Sequence, residues 1–174
     1  GGLALALQVF ANNKFIGYGL LVLVLVAQSV LGMLDYTHNL YTIGAWPNAP
    51  YSDMNGYGHF LAGQLAFQGY WGLFVAALLL LAAALWVRGV DAGWRQRLSG
   101  MRAQLRGGLG VAFAAAVLAF AAVGGVLFWN TNVRNDFVSP DGQLDLQARY
   151  ERDYKQYESL PQPRIIASRS DIDL

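Results

Sequence analysis

Between Lys14 and Asp35, between Asp53 and Arg88, and between Arg106 and Arg134 the chain carries no acidic or basic charge. A bilayer core of roughly 30 Å is crossed by about 20 consecutive apolar helical residues, and in hydrocarbon every backbone N–H and C=O must find its partner within the segment. Each neutral run is long enough to supply one such helix. Composition agrees, since 55% of the 174 residues are hydrophobic and 13% charged, about half the charged share of a soluble domain. The pattern predicts an all-α integral membrane fold: three transmembrane helices followed by an extracytoplasmic helical linker.

The first predicted span covers 15–34 and is apolar all round from Leu21 to Val26. Ahead of it, Leu3 to Ala11 is apolar but short, so residues 1–14 read as either an interfacial lead-in or the stump of an earlier span. The opening Gly1-Gly2, without an initiator Met or a basic signal region, reads as an internal start. Residues 35–56 hold Tyr36, Tyr41, Trp46, Pro47, Pro50, Tyr51 and Gly56 but no Lys or Arg. They read as a structured loop at the membrane surface, with aromatic rings at headgroup level. Asp53 or Asn55 is expected to cap the next helix, and Asp53 otherwise to form a turn.

From Tyr57 to Val87 there is neither charge nor proline, a length of roughly 46 Å as one helix. The expected solution is a polar approach through Gly58, His59, Gly63, Gln64, Gln68 and Gly69, then a span from Tyr70 to Val87; strong tilt is the alternative. The third span, 108–129, contains Ala115-x-x-x-Ala119 and Ala121-x-x-x-Gly125, pairs that permit close helix approach. The whole membrane module is thus 15–129. Between the second and third spans lie Arg88, Arg95, Arg97, Arg102 and Arg106 against the one acid Asp91. The positive-inside rule puts this loop and Lys14 in the cytoplasm, and the aromatic loop and the tail outside. Binding of an anionic lipid or a cytosolic partner by the arginines is a secondary reading.

Residues 130–163 read as a helical linker. Ser139-Pro140-Asp141 supplies an N-cap, a first-turn proline and an acid on the helix dipole. Arg149/Asp153 and Glu151/Lys155 are placed to pair at i,i+4. Tyr150, Tyr154 and Tyr157 form a stripe that reads as packing more than as a binding platform, and Pro161 and Pro163 end the element. From residue 164 a weak alternation suggests the start of a following β-domain, 164–174.

The net charge of +1 gives no field for nucleic acid, and the lack of cysteine excludes disulfide, thiolate-nucleophile and thiolate-metal chemistry. His38 and His59 are the only histidines. They read as structural, because a zinc site needs three or four ligands and nothing supplies the rest; the sharper alternative is a haem- or quinone-binding membrane subunit using both. Gln28 and Ser29, polar within the first span, either bond a neighbouring helix or line a transport path. No catalytic, cofactor-binding or metal residue is assigned in this chain.

Two stretches together carry a family resemblance: Pro50 to Phe60 (PYSDMNGYGHF), and Asn130-Thr131-Asn132-Val133 followed by the run from Tyr154 to Ile165 (YKQYESLPQPRI). The chain from about Phe15 to Arg164 resembles the last membrane helices and linker of large bacterial proteins that fuse an ABC-type permease to a zinc aminopeptidase similar to membrane alanyl aminopeptidase. The resemblance implies a multi-pass protein of the bacterial inner membrane, with other permease spans and an ABC ATPase subunit as partners. It also implies that the peptidase domain, with its zinc-binding His-Glu-x-x-His, lies beyond Leu174. A plain membrane anchor without transport is the remaining rival.

Overall fold

The computed structural model describes residues 1–86, 93–160 and 166–167. Six helices appear in them: α1 (Gly2–Ala11), α2 (Lys14–Met33), α3 (Phe60–Leu85), α4 (Trp94–Leu105), α5 (Gly108–Phe128) and α6 (Pro140–Tyr154). Among the described residues there is no strand, only an isolated bridge between Ser52 and Gly56. Helices α2, α3 and α5 are long and apolar enough to cross a membrane. The chain divides into two compact units, 1–139 and 140–174.

In the first unit α3 packs along α5, and α1 packs on both α2 and α3. Two asparagines make the α1–α2 joint. Asn12 takes the left-handed conformation (φ 52°) that stops α1, and the Asn13 side chain caps α2 by accepting from the amides of Phe15 (2.9 Å) and Ile16 (3.3 Å). Asn tolerates the left-handed region better than most residues and is a strong N-cap, so the pair reverses the chain in two residues. An alanine Cβ built on Gly2 would collide with Val75, half-way along α3. The ten residues of α1 therefore run beside the spans for roughly 15 Å.

Helix α3 starts at Phe60, ten residues before the expected span, and runs unbroken for 26 residues, or roughly 39 Å. The glycines at 63 and 69 lower helix propensity by about 1 kcal/mol each. Burial of Phe67, Tyr70 and Trp71 on the same stretch supplies the packing that outweighs them. The helix has no side-chain cap, its N-cap being His59. Asp53 and Asn55 instead sit in the turn closed by Ser52 and Gly56, which exchange N–H···O bonds of 2.9 and 2.7 Å.

Close approach of α3 and α5 is made by a glycine outside the expected small-residue pairs. A Cβ on Gly124 would lie 2.9 Å from the Tyr70 ring, whereas Gly125 has open space around it and Ala115 and Ala121 are exposed. Ala115, Ala121 and Gly125 lie off this contact because the contact ridge on α5 runs through Phe120, Val123, Gly124 and Leu127. Beyond Phe128 the helix widens into a π turn, Trp129–Arg134. Thr131, Asn132 and Asn135 there donate side-chain hydrogen bonds to the carbonyls of Leu127 (2.8 Å), Phe128 (3.3 Å) and Asn130 (2.7 Å). An Asn/Thr-rich sequence suits such an end, where carbonyls lose their intrahelical donors.

The second unit holds α6, which begins at Pro140 as expected, and a short 3-10 turn, Lys155–Tyr157. The tyrosine stripe forms, with ring centroids 4.4 Å apart for Tyr150–Tyr154 and 6.1 Å for Tyr154–Tyr157. The expected ion pairs do not form among the described residues; Glu151 accepts from Gln147 at 3.2 Å instead. Exposed i,i+4 charges gain too little in water to hold two long side chains in one geometry. Val87, Arg88, Asp91, Pro161, Pro163 and the expected β-domain start lie outside the described residues, apart from Ile166 and Ala167, which carry no regular structure.

Candidate functional site

The site is built where the loop after α2 meets α3 and α5. Gln28 stands fourteen residues up from Lys14 on α2, and Trp71 fourteen residues up from Leu85 on α3, roughly 21 Å in each case. They face the same segment of loop. Gln28 Oε1 accepts from the Ile43 amide (2.9 Å) while its Nε2 donates to the Tyr41 carbonyl (3.4 Å). Trp71 Nε1 donates to the carbonyls of both Asn39 (3.2 Å) and Ala45 (3.1 Å), and Tyr70 Oη reaches the Leu40 carbonyl at 3.5 Å.

Residues 38–45 thus lie between the helices, held beside α3 at Trp71, eleven residues or roughly 16 Å along from its start at Phe60. Irregular backbone among apolar helices persists only where protein covers it and satisfies its polar groups. Here the cover is a cluster of Leu40, Phe67, Tyr70, Trp71 and Leu127, with Ile43, Phe74 and Phe120 packed against it. Further bonds close within the loop, from Tyr41 N–H (2.9 Å) and Thr42 N–H (3.3 Å) to His38 O and from Ala45 N–H to Thr42 O (3.0 Å). Thr37 Oγ1 is a buried hydroxyl with no partner among the described residues.

His38 closes the arrangement and is only 4% exposed. Its Nδ1 accepts from the Leu40 amide at 3.0 Å, which assigns the ring proton to Nε2. Nε2 then donates to Thr131 Oγ1 at 3.2 Å, whose own hydroxyl is directed to Leu127 O. Asn132 and the Phe137 ring (centroids 4.4 Å) complete the surroundings. Burial among these uncharged groups lowers the imidazole below its ordinary value. The histidine therefore ties the loop to the exit of α5.

The sequence-selected residues distribute unevenly over this site. Both nitrogens of His38 are engaged, so iron or zinc could bind there only by displacing the Leu40 or the Thr131 bond. His59 is exposed at the start of α3, its ring tilted 35° against that of the neighbouring Phe60 with centroids 4.1 Å apart. Gln28 serves the loop instead of a neighbouring helix, and Ser29 bonds its own helix at Leu25 O (3.1 Å). Trp71 and Tyr70 were hidden in an apolar run; their signal is a polar edge on an aromatic ring at span depth, which needs a partner.

At the opposite end, Arg97 is 4% exposed and separates from the other arginines. Its Nε donates to Leu85 O (3.3 Å) and its Nη2 to Val9 O. Both are last-turn carbonyls, of α3 and α1, without intrahelical donors, and both lie at the negative end of a helix dipole. One guanidinium thus fastens two helix ends.

No protein-family model, curated protein or solved structure matches this chain.

Proposed function

We propose that the chain is a permease-type membrane module that anchors and positions an extracytoplasmic zinc aminopeptidase domain beyond Leu174. In this reading it belongs to the bacterial inner membrane, with the arginine-bearing loop in the cytoplasm. The observation that carries it is the His38–Thr131 tie: the point where α5 ends is fixed to a loop that two other helices hold, which is what a rigid mount for a following domain requires. Two further observations support it. The stretch Asn130 to Val133, part of the resemblance to permease–aminopeptidase fusions, is the π turn that makes the connection. Helix α2, with 6% of its apolar window buried, offers a broad face to further permease spans, the condition for any transport role alongside an ABC ATPase.

The test is to recover the protein from membranes of its source cells with an antibody against 143–158 and assay the material with an alanyl arylamide. Chelator-sensitive hydrolysis, carried by a polypeptide much larger than 19.0 kDa, is expected. A species of about this chain's own mass without such activity overturns the fusion and leaves the plain anchor.

A further inference from the structure

We propose that α4 lies in the membrane interface and that its arginine row binds the phosphates of anionic phospholipids. Two restraints fix its level. Arg97 ties it to the ends of α1 and α3, and only Arg106 and Gly107 separate it from the start of α5. The helix is therefore held where the spans leave the hydrocarbon.

Its surface is sorted by chemistry. Trp94, Leu98, Met101 and Leu105 follow i, i+4, i+7, i+11 and make one apolar stripe. Trp94 and Leu98 remain 54% and 42% exposed, so protein does not cover that stripe fully. Arg95, Arg102 and Arg106 follow i, i+7, i+11 one residue on, a parallel row some 100° round the helix, and all three are exposed. No acid occurs on α4. An apolar stripe bordered by cations, pinned level with the ends of membrane spans, fits a leaflet that offers acyl chains to the stripe and phosphates to the row.

Because the chain has no cysteine, Leu98→Cys or Gln96→Cys places one spin label on either side of α4. In vesicles of phosphatidylcholine and phosphatidylglycerol, the label at 98 should relax more with oxygen than with a water-soluble nickel chelate, and the label at 96 the reverse. Lipid retained on the purified protein should be enriched in phosphatidylglycerol. Arg95→Gln/Arg102→Gln/Arg106→Gln should reduce that enrichment on the order of tenfold or more, since each surface arginine contributes about a fivefold preference, while the triple Lys variant keeps most of it. A label at 98 that reports water would make the stripe a dock for a soluble protein and end the lipid assignment. Undiminished enrichment in the Gln variant, with its helix content intact, would end it as well.

Discussion

His38 and Trp71 do at single positions what sheet or helix ladders do elsewhere, giving partners to backbone that has none. Trp71→Phe keeps most of the ring but removes the donor shared by the Asn39 and Ala45 carbonyls. Leaving buried acceptors unpaired costs about 1–3 kcal/mol, and a lower thermal midpoint in detergent should report it. Tyr70→Phe removes a single bond at the 3.5 Å limit and should cost less than Trp71→Phe; the reverse order would mean that the loop is held by packing alone. For His38 the direction with pH follows from its lowered value. Above about pH 6.5 the ring is neutral folded and unfolded alike, and its contribution is complete. As pH falls below that, the unfolded chain takes up the proton first and stability declines towards the folded-state value. Protonated Nδ1 would also confront the Leu40 N–H. Melting between pH 7.5 and pH 5 should show this loss in the wild type, and a flatter profile in His38→Asn.

At the scale of elements, the spans and their glycine contacts separate what charge spacing reveals from what only packing decides. Gly124→Leu should destabilise by about 1–3 kcal/mol, because even its Cβ meets the Tyr70 ring. Gly125→Leu, in open space, should be tolerated; comparing the two unfolding midpoints checks the ridge. Three spans were legible because hydrocarbon excludes charge, and the gaps after Lys14, Asp53 and Arg106 mark them directly. The small-residue pairs lie off the face of α5 that meets α3, since spacing alone does not say which helix a face will meet. How the loop is held was not legible either, because its partners Gln28, Tyr70, Trp71 and Thr131 come from three separate helices. Arg97 looked like its neighbours in a count of basic residues; its offset from the Trp94–Leu98 stripe was the available clue. For α6, which buries no side chain and is short enough to be marginal alone in water, amide exchange over 143–157 should be orders of magnitude faster than over α3. Protection equal to that of α3 would show the helix packed on something else.

At the largest scale, the unit 1–139 is a layered slot. The space between α2 and α3 is occupied by α1 in the half near Arg97 and by residues 38–45 in the half near Thr131. The orientation proposed for it makes a direct expectation: in intact cells an impermeant maleimide should label Asn48→Cys but not Gly100→Cys. Labelling of position 100 alone would invert the module and place the exit of α5 in the cytoplasm.

The tie between His38 and Thr131 joins residues 93 positions apart in sequence, and that distance orders the steps of biosynthesis. When the loop leaves the ribosome, its acceptors for Trp71 and its donor for Gln28 can be served early, but the third span is still unmade. Until α5 has been inserted, His38 has no hydroxyl to meet, and the Leu40 pocket lacks the Leu127 wall. The loop can complete its contacts only once α5 is in place. A chain halted after the second span would keep that segment open to proteases, so a membrane quality-control enzyme could distinguish unfinished copies from finished ones at this one place.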